Sequence, residues 1–276
     1  MNTEEWKTPA LRKFTQAAVA KWAEAPVDKR DWCRAAMAFG TAQNFILYGV
    51  PGTGKSYTVM QWLDAFAPDY VRPIIHDQSS ADELTGVKVQ VIDPTTGNSK
   101  FDTHIGPLVD AYANGKVFLW DEMNRASEEC LTLGFLALDG LPIDVDIVGE
   151  GVRTYKPHPN FRCIGFSNDH VDEFPGGLKR RMHAKVEIND LAPGLWDAIP
   201  KSLWKLVQAS AFEEDTAKRI TGAEWQLVAQ WAQDLATKQP DGRMKPNVLA
   251  ALALATDEER AEQIHAQWET MKATAR

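Results

Sequence analysis

The chain has 276 residues, room for one large domain or two moderate ones. Its 44% hydrophobic and 25% charged content matches folded globular proteins and excludes wholesale disorder. Thirty basic residues against 38 acidic ones leave a net charge of −8, which argues against a protein that mainly coats duplex nucleic acid.

Residues 1–40 read as helical. Leu11, Phe14, Ala18 and Trp22 fall on one helical stripe, APVDKRD interrupts it, and a second short helix follows around Trp32 to Phe39. NFILYG reads as a buried strand over Asn44 to Tyr48. Helical spacing resumes after Lys55, with Val59, Trp62, Leu63 and Phe66 at i, i+3, i+4 and i+7. YVRPIIH is a second strand candidate, interrupted by Pro73. GKVFLWDE, FRCIGFSN and AKVEI add three short apolar strands that end at Asp121, Asn168 and Ile188. Short apolar strands separated by helices predict a parallel sheet covered on both faces, an α/β fold in three layers.

Two hairpins interrupt the alternation. Val87, Val89 and Val91 lead into the turn DPTTGN, and Phe101, Thr103 and Ile105 return from it. Ile143, Val145 and Ile147 alternate with Asp144 and Asp146, and the chain returns past GEG through Val152 and Thr154. After about Asn189 the strand signals stop. Trp204, Val207, Trp225, Val228, Ala232, Leu249, Leu252 and Ala253 suit helices. The expected division is N-terminal helices over 1–40, an α/β core over 41–189 with hairpins at about 87–105 and 143–156, and a helical lid over 190–276.

Gly49-Val50-Pro51-Gly52-Thr53-Gly54-Lys55-Ser56 fits G-x-x-x-x-G-K-[ST], the phosphate-binding loop. Glycines let successive N–H groups point inward around an anion. The helix that starts at Lys55 offers its positive end to the same anion. Lys55 can reach the β- and γ-phosphates, and the Ser56 hydroxyl can ligate magnesium. Nucleotide contacts are expected at Gly49, Pro51, Gly52, Thr53, Gly54, Lys55, Ser56 and Tyr57. Hydrolysis also needs a carboxylate for the metal and a base for water. VFLWDEMNRA supplies both at a strand end: Asp121 for the metal and Glu122 for the water. Asn168, which ends the next apolar strand, can orient that water. Arg180 and Arg181 precede the last strand and are candidates for an arginine finger, with Arg181 preferred.

Taken together, these residues resemble the AAA+ ATPases, and within them the MoxR-like branch. That branch includes the CbbQ/NorQ-type activases and the ATPase subunit of cobalt chelatase and, more distantly, dynein-like and midasin modules. The resemblance rests on an ordered series: GVPGTGKS, ADELTG at 81–86, GPLVDAYANGKVFLWDEMNRA at 106–126, LGFLALDG at 133–140, HPNFRCIGFSN at 158–168 and GLKRRM at 177–182. It implies a five-stranded parallel core, a C-terminal helical lid, ATP and Mg2+ as cofactors, and self-assembly into a ring, usually a hexamer. It also implies that Asn168 is sensor 1, that Arg181 acts in trans, and that the two hairpins engage a client. Met182 stands where the family has phenylalanine, and Asn247 stands where its sensor-2 arginine aligns, with Arg243 nearby as a substitute.

The expected function is a Mg2+-dependent ATPase motor that remodels a client protein or complex, working with a client or a partner that carries a von Willebrand A module. The alternative is a nucleic-acid translocase or loader, GTP-using as in McrB-type motors. A scaffold that hardly hydrolyses is a third class, opposed by Asp121-Glu122. Hairpin charges are mixed, with Lys88, Lys100, Arg153 and Lys156 against Asp102, Asp144 and Asp146, so no continuous basic track favours nucleic acid. Cys33, Cys130 and Cys163 are odd in number and far apart, so a reducing, cytoplasmic setting is expected. The opening MNTEEWKTPALRK has no signal-peptide apolar stretch, and no apolar run approaches the roughly 20 residues of a membrane span.

Overall fold

The structure is a computed structural model and describes residues 6–26, 30–66, 69–92, 97–194, 207, 222–234, 237–238, 244–245, 248–255, 261–266 and 270. The chain divides into two compact units. One comprises Met1–Gly49 with Val59–Glu187, the other Val50–Thr58 with Ile188–Arg276.

The first unit is built on a parallel sheet of five strands: β1 (Asn44–Tyr48), β2 (Tyr70–Val71), β5 (Val117–Trp120), β8 (Arg162–Phe166) and β9 (Ala184–Glu187). Their spatial order is β2-β5-β8-β1-β9. Every residue of β1, β5 and β8 is buried, as apolar runs with no polar alternation require when a sheet is covered on both faces. The second strand is much shorter than YVRPIIH suggests, because Pro73 brings no N–H to the ladder and pairing with β5 covers only Tyr70 and Val71. Parallel strands share a carboxyl edge, and loops leaving that edge are where open α/β sheets place their chemistry. The residues that leave it are Gly49 after β1, Asp121 after β5 and Ser167 after β8.

Helices α1 (Pro9–Glu24) and α2 (Asp31–Thr41) pack against each other. Thr8 caps α1, its Oγ accepting from Leu11 N at 3.2 Å, and Pro9 occupies the first turn, where no N–H is missed. Leu11 and Ala18 of the expected stripe are buried, while Trp22 is 37% exposed and carries the Arg30 guanidinium 4.8 Å above its ring. Arg162, at the start of β8, is fully buried. It donates to Phe39 O and, at 3.1 Å, to Ala42 O, so a cation closes the carbonyl end of α2. Burial pulls its pKa down to about 9.

Helix α3 (Lys55–Phe66) follows β1, with Val59 and Leu63 fully buried. Short α4 (Ala81–Thr85) leads into the first hairpin, β3 (Gly86–Ile92) and β4 (Ser99–Ile105). α5 (Pro107–Asn114) precedes β5, and α6 (Glu128–Leu138) follows it under a Ser127 cap. The second hairpin is β6 (Ile143–Ile147) and β7 (Gly151–Tyr155); Ile143, Val145 and Ile147 point inward and Asp144 and Asp146 outward, as the alternation predicts. The two hairpins are pinned together. Thr103 Oγ accepts from Val148 N at 2.8 Å, and Lys88 Nζ meets Asp146 at 2.7 Å. Helix α7 (Gly176–Arg181) precedes β9.

In the second unit, α8 (Gly222–Asp234) buries Trp225, Val228 and Ala232 and packs on α9 (Val248–Ala255), which buries Val248, Ala251 and Leu252. Residues 261–266 are helical, with Ala261 and Ile264 buried. Contrary to the expectation that strands end near Asn189, β10 (Thr237–Lys238) and β11 (Met244–Lys245) pair antiparallel. Two-residue strands are too short to show a period. Trp204, Arg243 and Asn247 lie outside the described residues.

Candidate functional site

Of the phosphate loop, Val50–Ser56 belong to the second unit and Gly49 to the first. Gly49, Gly52 and Gly54 have φ of 110°, 73° and 90°, a region that residues with a Cβ rarely enter, so the motif's glycines are required by the backbone path. Thr53 is buried and its Oγ donates to Val50 O at 3.0 Å, closing the loop on itself. Ala192 N donates to Thr53 O at 2.9 Å, which ties the loop to the segment after β9. Helix α3 starts at Lys55, and its first turn is closed by Thr58 N donating to Gly54 O at 2.9 Å. Lys55 is buried, with Nζ donating to Val50 O at 2.7 Å. Ser56 is half-buried, Tyr57 is exposed, and Pro51 lies within the turn. A glycine-rich loop, a helix start, a buried ammonium and a hydroxyl form a donor set that fits a phosphate chain with a hard divalent cation.

The acidic cluster belongs to the first unit. Asp121 leaves the end of β5 and is gripped by a cation that sequence reasoning did not single out. Arg72, just past β2, donates to Asp121 Oδ2 from Nε at 2.6 Å, and its Nη2 lies 2.5 Å from the same oxygen. An arginine at a strand end has no pattern of its own; the pairing follows from β2 lying beside β5. A metal ion bound by Asp121 has to displace or share that guanidinium.

Glu122 follows with φ 47° and ψ 41°, the single non-glycine residue at positive φ among the described residues. Such a conformation is unfavourable for a residue with a Cβ and clusters at functional sites. A 3-10 turn, Met123–Arg125, comes next, with Arg125 N donating to Glu122 O at 2.8 Å. Asn168 Nδ2 donates to Glu122 Oε1 at 2.6 Å, so the two residues assigned to the water are brought together. Glu122 Oε2 is shielded from solvent without a hydrogen-bond partner and lies 3.5 Å from Arg125 Nε.

Around this pair runs a network that was legible only in part. Arg125 forks onto Asp169, with Nε to Oδ2 at 3.1 Å and Nη2 to Oδ1 at 2.8 Å. Asn124 Nδ2 donates to Asp169 Oδ2 at 2.6 Å, Ser167 Oγ donates to Asn124 Oδ1 at 2.6 Å, and Asp169 N donates to Ser167 Oγ at 3.0 Å. The Arg125 hydrogen bond, joined by that of Asn124, holds the Asp169 carboxyl below the usual carboxylate range against the opposing effect of burial. Asn124 and Arg125 lie within VFLWDEMNRA, whereas Asp169 follows FRCIGFSN and belongs to no motif; the pairing of β5 with β8 brings them together.

The two arginines of GLKRRM differ. Arg181 forks onto Asp139 at 2.9 and 2.6 Å, donates to Gly177 O at 3.0 Å, and stacks 4.4 Å from the Phe135 ring centre. Arg180 is exposed and has no side-chain hydrogen bond or ion pair among the described residues.

The family described as AAA domain (dynein-related subfamily) matches residues 44–182, half of the chain, from β1 to the end of α7. Midasin of Dictyostelium discoideum is 27% identical over 149 residues, which is 52% of this chain and 2% of midasin, so the chain spans a small fraction of that relative. A crystal structure of a candidate ATPase from Cytophaga hutchinsonii is 16% identical, with a TM-score of 0.45 over 94% of this chain and 96% of that one; a likeness of that size adds nothing to the family match. The family match begins at the strand that feeds the phosphate loop and includes Asp121, Glu122 and Asn168. The chain belongs to the AAA domain family, in its dynein-related subfamily.

Proposed function

We propose that this AAA protein is a magnesium-dependent ATPase motor that assembles as a homo-oligomeric ring, with a hexamer as the expected number, and remodels or activates a client protein or complex in the cytoplasm. Its ordered motifs resemble those of the MoxR-like branch, which supports that reading, and a von Willebrand A-type partner goes with it. Magnesium bound with ATP supplies charge neutralisation on the phosphates. The chain's own residues do the rest. The amides of Gly52 and Gly54 and the ammonium of Lys55 hold the phosphates, with the Ser56 hydroxyl as an oxygen ligand for a cation; in the first unit, Asp121 is the carboxylate suited to a cation. Asn168 holds the Glu122 carboxylate, which accepts a proton from water. A neighbouring subunit supplies an arginine. The exposure of Arg180 supports it for that role, whereas Arg181 is engaged by Asp139 within its own subunit.

The observation that carries this reading is the 2.6 Å contact between Asn168 and Glu122, which joins the two residues assigned to the water across the neighbouring ends of β5 and β8. The test is Glu122→Gln, which keeps the shape and removes the base. ATP binding is expected to persist while steady-state phosphate release falls by at least about 100-fold. Unchanged release contradicts the assignment. The nucleic-acid alternative has less support, since Lys88 and Arg153 on the hairpins are already paired with Asp146 and Glu150.

A further inference from the structure

The two turns that leave β5 and β8 are joined beyond the end of the strand ladder. The last ladder pair is Trp120 opposite Gly165. Past it, side chains replace backbone pairing: Asn124 and Arg125 from the β5 side both hold Asp169, and Ser167 from the β8 side holds Asn124. Ser167 is fully buried, so its hydroxyl is fixed by both of its bonds. Asn168 lies between Ser167 and Asp169, and its amide is thereby delivered to Glu122 Oε1. Glu122 itself stands at positive φ at the head of the same clasp. Released from its partners, a residue with a Cβ relaxes toward negative φ, and the carboxylate swings away.

We infer that Asn124, Arg125 and Asp169 form a positioning clasp for ATP hydrolysis, one that fixes the backbone of Glu122 and the amide of Asn168 and so holds the Glu122 carboxylate in place, with Arg125 Nε also 3.5 Å from Glu122 Oε2. Arg125 and Asp169 touch neither nucleotide nor water in this scheme; they act through Glu122. The inference rests on the assignment of Glu122 as base. It goes beyond that assignment by giving the NR of DEMNRA and the final Asp of SND a role.

The alternative is a clasp that only stabilises two turns. Arg125→Gln and Asp169→Asn separate the two. Arg125 is 60% exposed on its side chain, so its variant is expected to fold. Each variant is expected to lose about 10- to 100-fold in kcat, since small misplacements of a catalytic group cost that much, with KM and ATP affinity within about twofold of the parent. The double variant is expected to lose no more than either single one. Without nucleotide, the Asn168 side-chain amide resonance is expected to shift in Asp169→Asn as its bond to Glu122 loosens.

In a Glu122→Gln background, Asp169→Asn is expected to change residual turnover by less than about twofold, because the base it positions is gone. A lower melting temperature with unchanged kcat and an unmoved Asn168 resonance overturns the inference. So does an undiminished loss in the Glu122→Gln background. The parent assignment fails separately, if Glu122→Gln alone keeps its turnover.

Discussion

Gly134 sits in the middle of α6, facing Trp120, the last residue before Asp121. A Cβ built there lies 2.4 and 2.6 Å from two atoms of the indole ring, where ordinary contact is 3.4–4 Å. Two effects of Gly134→Ala oppose each other. Alanine in a helix interior is favoured over glycine by about 1 kcal/mol. Forcing a methyl into a packed core costs about 1–3 kcal/mol, and the ring has to retreat by about 1 Å. Trp120 is 1% exposed and stacked edge-on against Phe118 at 5.7 Å, so it cannot turn aside and the cost falls at the upper end. The net expectation is a loss of about 1–2 kcal/mol, or about 3–6 °C in melting temperature for a chain of this size. Calorimetric melting reads it. Gly176→Ala is the control, because nothing lies within 4 Å of its Cβ position, and it should melt within about 1 °C of the parent. A Gly134→Ala protein that melts at or above the parent refutes the packing argument.

Three further outcomes follow from the site. Arg72→Gln frees Asp121 from its guanidinium, so the magnesium concentration needed for half-maximal ATP binding should fall several-fold; a rise contradicts competition between cation and arginine. Arg180→Ala should lose turnover while melting like the parent, whereas Arg181→Ala should melt lower by about 1–2 kcal/mol through loss of its fork with Asp139; the reverse pattern returns the trans role to Arg181. The Asp169 carboxyl has a folded pKa below its unfolded value, so its contribution to stability is present at neutral pH and is lost as pH falls through the folded pKa. The stability gap between the parent and Asp169→Asn should therefore shrink from pH 7 toward pH 3, as urea melts can show; a gap that widens in acid contradicts the pairing.

Much of this architecture was legible because burial on two faces demands unbroken apolar runs, and NFILY, VFLW and RCIGF are such runs. The phosphate loop was legible because its backbone path admits glycine at positions 49, 52 and 54 and little else. The parts that escaped depend on register and rotation. Arg72 reaches Asp121 only because β2 lies against β5, and Asp169 reaches Arg125 only because β8 does. Arg180 and Arg181 are adjacent in sequence, yet the turn of α7 sends one to Asp139 and leaves the other exposed. A linear pattern shows which side chains are present at a strand end and not which neighbouring strand they answer.

The most direct test of the whole account is a calorimetric titration of the purified chain with ATP and magnesium, run beside Lys55→Ala. The parent should give saturable heat, and the variant should lose most of it, since Lys55 is the buried ammonium of the phosphate loop. Absence of heat from the folded parent, or equal heat from both proteins, contradicts the claim that residues 49–56 hold the triphosphate.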